Sequence, residues 1–294
     1  MAHIAIIGPG AIGATVAAWL AQDTSHRILV CARTPFDRIE VETPERTITA
    51  TPDVLTDAAQ AKPAEWVLIA TKAYDVAGTA VWLRGLCDAK TNVAVLQNGV
   101  EHVERFSAHL AAERIVPVVV ECPAERTAPG RVRQRKSGWM LAPDTHEGRA
   151  FASLFEKTRI DVKTTTDFKT AAWRKLCLNS AGALSAVLLK PAGIVQYDGI
   201  AHAMRGIIRE CIAVGRAAGA QLDDDLVEAV ITGYKNGPSD SINSLQADRM
   251  AGRAMEIDAR NGVIVRLGRK HGIATPLNEM IVALLEAAQD KRTF

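Results

Sequence analysis

At 294 residues the chain is long enough for two domains. An apolar fraction of 48% against 23% charged residues is that of a soluble globular protein with a sizeable core. A formal charge of +2 gives no basis for a nucleic-acid or anionic-membrane partner. Cys31, Cys87, Cys122, Cys177 and Cys211 include no C-x-x-C pair and no histidine pair nearby, so neither a disulfide framework nor a zinc site is expected, and a reducing cytoplasm suits them.

The run IAIIGPGAIGATVAAWLA (4–21) imitates a signal or membrane segment, but no positive region precedes it and Gly8, Pro9, Gly10 and Gly13 interrupt it. A strand, a tight turn and a helix explain it better, and neither a targeting peptide nor a membrane span is expected. Residues 3–7, 27–31, 66–71, 92–96 and 115–120 read as strands, with helices over 11–22, 76–87 and 100–110. Strands alternating with crossover helices imply an α/β domain built on a Rossmann-type, doubly wound parallel sheet. Near-continuous apolar strands are expected when helices cover both faces.

Around 130–165 the pattern turns to period-two runs, GRVRQRKSGWML and IDVKTTTD, read as antiparallel strands finishing the sheet. Arg131, Arg133, Arg135 and Lys136 then form the solvated face of a hairpin. Beyond 168 only helical patterns remain, over 168–189, 197–219, 223–235, 240–271 and 276–290, with breaks at Gly219, Gly237–Pro238, Gly272 and Pro276. The expected division is a nucleotide-binding domain over 1–167 and an all-helical substrate-binding and catalytic domain over 168–294. The apolar stretch 280–287 can pack on its own domain or on a second copy, which leaves a homodimer open.

Gly8, Gly10 and Gly13 form G-x-G-x-x-G where a strand ends and a helix begins, the context a dinucleotide fingerprint requires. Gly8 permits the turn, Gly10 lets backbone approach the pyrophosphate, and Gly13 allows close helix–strand packing. The free N–H groups of this loop attract phosphates. An NAD site normally places an acid at the end of the second strand, about 20 residues on. Here LVCARTP puts Cys31 and Ala32 there, followed by Arg33, which can grip a 2′-phosphate bidentately, so the expected cofactor is NADP(H).

In TAAWRKLCLNSAGALSAVLLK (170–190) Lys175, Asn179, Gly182 and Ala183 share one helical stripe with no further charge. The two small residues look like reserved space. A lysine so placed either snorkels at a helix end or acts as a proton donor with a depressed pKa. The residues alone leave both open. Asn98 and Gly99 follow a parallel strand at its C-terminal end, where ligands of open α/β sheets bind. Ser244 and Glu256 fall on the helix expected over 240–271. Twelve residues separate them, about 18 Å of helix, too far to grip one small group. Ser244 reads either as a helix cap or as a substrate contact, and Glu256 either as a surface partner of Arg260 or as a contact to the lysine or a cofactor ribose.

IGPGAIG, ATKAYD (70–75), LQNGVE (96–101), WRKLCLN (173–179) and SLQAD, EIDARNG and HGIATP (244–276) occur in the order and spacing of the ketopantoate reductase (2-dehydropantoate 2-reductase) family, which the whole chain resembles. The resemblance implies an N-terminal domain that binds NADPH and a helical domain that closes over the substrate. It implies Lys175 as general acid, with Glu256 contacting the cofactor ribose and orienting the lysine. Asn179 and Ser244 would hold the substrate, and Asn98 would lie where substrate and nicotinamide meet. The candidate cofactor-binding set is Gly8, Pro9, Gly10, Ala11, Ile12, Gly13, Arg33, Lys72, Asn98, Ala124 (a looser match, through its backbone) and Glu256. One departure stands out: Ala183 occupies a position where the family commonly has a second substrate-contacting asparagine. The implied reaction is NADPH-dependent reduction of a 2-oxo acid, ketopantoate to pantoate in pantothenate biosynthesis being the first candidate. Rival readings are a reductase of another 2-oxo acid, a 3-hydroxyacid dehydrogenase-like enzyme, and a redox sensor that binds NADPH without chemistry.

Overall fold

The computed structural model describes residues 2–290. They divide into two compact units, one holding the chain up to Gln97 with Glu101–Phe168, the other Asn98–Val100 and the chain from Lys169 onward.

In the first unit, strands β1 (Ala2–Ile7) and β2 (His26–Cys31) precede a hairpin, β3 (Ile39–Glu42) and β4 (Thr47–Ala50). Strands β5 (Asp53–Leu55), β6 (Trp66–Ile69), β7 (Asn92–Val95) and β8 (Ile115–Pro117) follow. Six of these form one sheet in the order β5-β2-β1-β6-β7-β8, every pair parallel. Helices α1 (Ala11–Leu20), α2 (Val76–Leu86) and α3 (His102–Phe106) supply three of its crossovers. Ile4–Ile7 and Val67–Ile69 are buried, as expected of strands covered on both faces. The strand order reverses between β1 and β6, so the loops after these strands flank the point where such sheets bind ligands.

The strands of 119–165 depart from expectation. They are β9 (Val119–Glu121), β10 (Ala124–Ala128), β11 (Arg131–Gln134), β12 (Trp139–Pro143) and β13 (Asp161–Thr165), with α4 (His146–Ser153) between the last two. None joins the six-stranded sheet. They form two smaller sheets, β10-β11-β3-β4 and β13-β12-β9, in which β11 runs parallel to β3 and β12 parallel to β13. Period-two patterning identifies a strand and its buried face but carries no information about its neighbour. The β10–β11 hairpin does expose Arg131 and Arg133, and they meet Glu40 (3.5 Å) and Glu42 (3.0 Å) of β3.

In α3, His102 is buried, with Nε2 donating to the Gln97 carbonyl (2.9 Å). Burial, and secondarily the Arg105 charge, pull its pKa from 6.5 to about 4. Between these values the unfolded chain holds a proton that the folded one refuses. Stability is therefore fully present above pH 6.5 and falls by about 3 kcal/mol as pH drops toward 4. Denaturant titrations of His102→Gln should lack this part of the slope; an unchanged slope would reject the assignment.

The second unit is helical: α5 (Phe168–Ala181), α6 (Ala183–Leu188), α7 (Asp198–Ala217), α8 (Leu226–Asn236), α9 (Ser244–Met250), a π-helical turn over Asp258–Gly262, α10 (Val263–His271) and α11 (Pro276–Gln289). Trp173, Leu176 and Cys177 of α5 pack with Ile208, Cys211 and Val214 of α7 in its core. α7 comes close to α5 at Gly215, where a Cβ would stand 2.9 Å from the Trp173 ring.

Two expected helices are broken. The one read over 168–189 breaks at Gly182, because that residue admits Tyr234: a Cβ there would lie 2.5 Å from the tyrosine hydroxyl. The one read over 240–271 ends at Met250, and Gly252, with φ of +62°, turns the chain before the π-helical turn. Apolar periodicity continues across both breaks because the core needs it whatever the backbone does.

Candidate active site

In the first unit the glycine loop joins β1 to α1. Gly8 has φ of +88° and its N–H donates to the Cys31 carbonyl (3.2 Å). A Cβ at Gly8 would press on Thr71 at 2.8 Å, and one at Gly13 on the Gly8 carbonyl oxygen at 2.3 Å. A Cβ at Gly10 would meet nothing within 4 Å. Gly8 and Gly13 are therefore demanded by the fold, whereas Gly10 keeps space open in front of the helix. No side chain caps α1, and no acid sits in its first turn. The N–H groups of Ala11, Ile12 and Gly13 are the first of the helix and have no carbonyl a turn earlier to meet. Open space, free N–H groups and the positive helix end fit a dinucleotide pyrophosphate, with Pro9 holding the turn between them.

Arg33, exposed beyond β2, lines an open hollow of about 680 Å³ together with Thr56, Asp57, Gly78 and Trp82. Asp57 is the acid in this hollow, and its carboxylate is engaged by the Ala59 N–H (2.9 Å) and by Gln60 (3.2 Å). That leaves Arg33 as the group suited to a 2′-phosphate. Lys72 sits in the loop after β6, half-buried, its carbonyl accepting from the Asp75 N–H (2.9 Å). Gln97 latches the same loop through Nε2 to Thr71 Oγ1 (3.1 Å), a positioning contact that spacing along the chain does not reveal. Ala124 begins β10, the edge strand of its sheet, paired with Gln134.

In the second unit, Asn98, Asn179 and Glu256 come together. Asn98 Nδ2 donates to Glu256 Oε2 (3.0 Å), and Asn179 Nδ2 reaches Asn98 Oδ1 (3.5 Å). Glu256 is 5% exposed and is no surface partner of Arg260. It stands in the irregular stretch between α9 and the π-helical turn, so the helical separation from Ser244 does not apply. Lys175 is one turn before Asn179 on α5 and half-buried. Burial first, and the neighbouring Arg260 guanidinium second, pull its amine from 10.5 to about 8.

The break between α5 and α6 exposes carbonyls that side chains satisfy. Tyr234 Oη donates to Leu178 O (3.0 Å), Arg260 Nη2 to Asn179 O, Asn261 Nδ2 to Ser180 O (3.2 Å) and Asn243 Nδ2 to Gly182 O (2.8 Å). The space expected beside Gly182 thus belongs to Tyr234. Ala183 is fully buried in the hydrophobic core of this unit, where an asparagine amide would lack the contacts a solvent-facing wall provides. Ser244 opens α9 and is exposed, and Asn243 caps that helix by accepting from the Gln246 N–H (3.1 Å), so the capping role read for Ser244 falls to its neighbour. Arg260 was concealed in the sequence because a continuous helix would have placed it at the surface.

Among the described residues no cluster of His, Cys, Asp and Glu could hold a metal ion, and no helix is long and apolar enough to cross a membrane.

Residues 4–146 match the family model described as "Ketopantoate reductase PanE/ApbA", and residues 167–289 that of its C-terminal part. The chain is 57% identical over 288 residues to a protein of Caulobacter vibrioides named 2-dehydropantoate 2-reductase, covering 98% of this chain and 99% of that one. A protein of the same name from Mycobacterium tuberculosis is 39% identical over 289 residues, with 98% of each covered. Among solved structures, a PanE/ApbA family ketopantoate reductase from Ralstonia eutropha superimposes with a TM-score of 0.90 at 31% identity, covering 98% of this chain and 99% of that one. This chain belongs to the ketopantoate reductase family.

Proposed function

We propose that this protein reduces a 2-oxo acid to a 2-hydroxy acid with NADPH, ketopantoate to pantoate being the reaction, and that Lys175 is its general acid. The observation that carries the assignment of Lys175 is its half-buried amine at about 8, one turn from an amide chain that runs from Asn179 through Asn98 to Glu256. An amine at that value is protonated at neutral pH and gives its proton readily to a developing alkoxide. NADPH, when bound, supplies the hydride. Gly8, Pro9, Gly10, Ala11, Ile12 and Gly13 cradle its pyrophosphate, Arg33 its 2′-phosphate, and Lys72 and the Ala124 backbone complete the set. Asn98 and Asn179 orient the 2-oxo acid, and Ser244 closes on it from α9. Glu256 holds Asn98 and steadies the lysine. The exposed Met280 and Leu284, one turn apart on α11, support a homodimer, and the five free thiols suit the cytoplasm.

Mixing protein, NADPH and a panel of 2-oxo acids tests the reading through absorbance at the nicotinamide band. Ketopantoate should give the largest kcat/KM. No decay with any member would favour the sensor, and a faster second acid would move the substrate. Arg33→Ala should raise KM for NADPH by about 10–100-fold and leave KM for NADH nearly unchanged, since one charge-assisted contact contributes about 1.5–3 kcal/mol. Equal effects on both would remove Arg33 from the 2′-phosphate.

A further inference from the structure

Arg260 is a large charge in an expensive place. It is 2% exposed, on the π-helical turn, and such turns recur at functional sites. A guanidinium stays charged at any pH a protein experiences, so burying it demands an anion or a full set of acceptors. Arg260 has neither. Nη2 donates to the Asn179 carbonyl, Nε is buried with no partner, and among the described residues it forms no ion pair. The two carboxylates whose charge it feels, Glu256 and Asp248, are engaged elsewhere, Glu256 by Asn98 (3.0 Å) and Asp248 by Arg253 (2.9 Å).

Capping does not explain it. Three of the four carbonyls freed at the break after α5 are held by neutral groups, the Tyr234 hydroxyl and the Asn243 and Asn261 amides. A neutral amide would serve the fourth equally well. What Arg260 adds is positive charge, placed against the residue one turn from Lys175 and close enough for its field to reach that amine.

We propose that Arg260 is a substrate-binding residue that receives the carboxylate of the 2-oxo acid, holding the adjacent ketone where Lys175 can protonate it. The inference rests on the reductase reading above.

The test is discrimination between a 2-oxo acid and its neutral primary amide. Wild-type protein should favour the acid in kcat/KM by about 10²-fold or more, consistent with the cost of leaving a buried charge unpaired. Arg260→Gln retains an amide able to hold the Asn179 carbonyl. It should raise KM for the acid by about 10²-fold, leave the amide and NADPH binding nearly unchanged, and so erase the preference. Arg260→Lys should restore part of it. A preference that survives Arg260→Gln within about threefold overturns the proposal, as does a wild-type enzyme that treats acid and amide alike, a result needing no variant to fold. Calorimetric titration of the 2-hydroxy acid separates the two readings. Carboxylate binding that depends on Arg260, without turnover of any 2-oxo acid, would sustain the anchor and sink the reductase.

Discussion

Lys175→Ala should lower kcat for the 2-oxo acid by about 10²–10⁴-fold while NADPH binding stays within about twofold, because the variant lacks the proposed proton donor and keeps the glycine loop intact. The pH dependence carries the same assignment. The amine must be protonated to act, so kcat of the wild type should fall as pH rises through about 8, the value to which burial and Arg260 bring it. A fall only near 10.5 would show an amine in ordinary solvent and end the role. The same environment costs stability. Between pH 10.5 and 8 the unfolded chain holds a proton that the folded one has released, and below 8 the folded protein carries a deficit of about 3 kcal/mol. Lys175→Met should thus melt a few degrees higher than wild type at pH 7 while losing turnover, the trade expected at an active site. A lower melting temperature would mean that the lysine serves the fold.

Gly13→Ala has the second large effect, and comparison with Gly10→Ala explains it. A Cβ at Gly13 would stand 2.3 Å from the Gly8 carbonyl oxygen, so β1 and α1 must separate. The expected loss is about 1–3 kcal/mol of stability together with a drop of at least about 10²-fold in NADPH affinity. At Gly10 a Cβ meets nothing within 4 Å, so Gly10→Ala should melt like wild type and still bind NADPH poorly. Thermal melts and fluorescence titrations of both variants check this. If Gly10→Ala bound NADPH normally, the open space in front of α1 would not be where the pyrophosphate lies.

The thiol pair in the helical core illustrates a different limit. Cys177 and Cys211 sit 34 positions apart in sequence with their sulfurs at 3.4 Å, both enclosed. Desolvation drives the Cys211 thiol well above its usual value, which makes it inert packing rather than a reactive group. Their spacing along the chain predicts neither the contact nor its inertness.

Much of the site was legible locally. The β1–loop–α1 fingerprint is contiguous, the Gly8 carbonyl that demands glycine at position 13 lies within it, and the parallel sheet follows from apolar strands alternating with helices. Lys175 and Asn179 are one helical turn apart, so their shared face needs only the helix. What the linear order could not carry is the partner of each strand beyond 119 and the breaks at Gly182 and Gly252. Both depend on which side chain or backbone arrives from elsewhere: Tyr234 for one, the turn joining α9 to the π-helical residues for the other. Asn98 and Glu256, 158 positions apart, are a hydrogen-bonded pair only because two segments of the second unit meet. Arg260 changed from an exposed helical charge to a buried one for the same reason. Periodicity reports which residues avoid water, whereas only packing decides which of them touch.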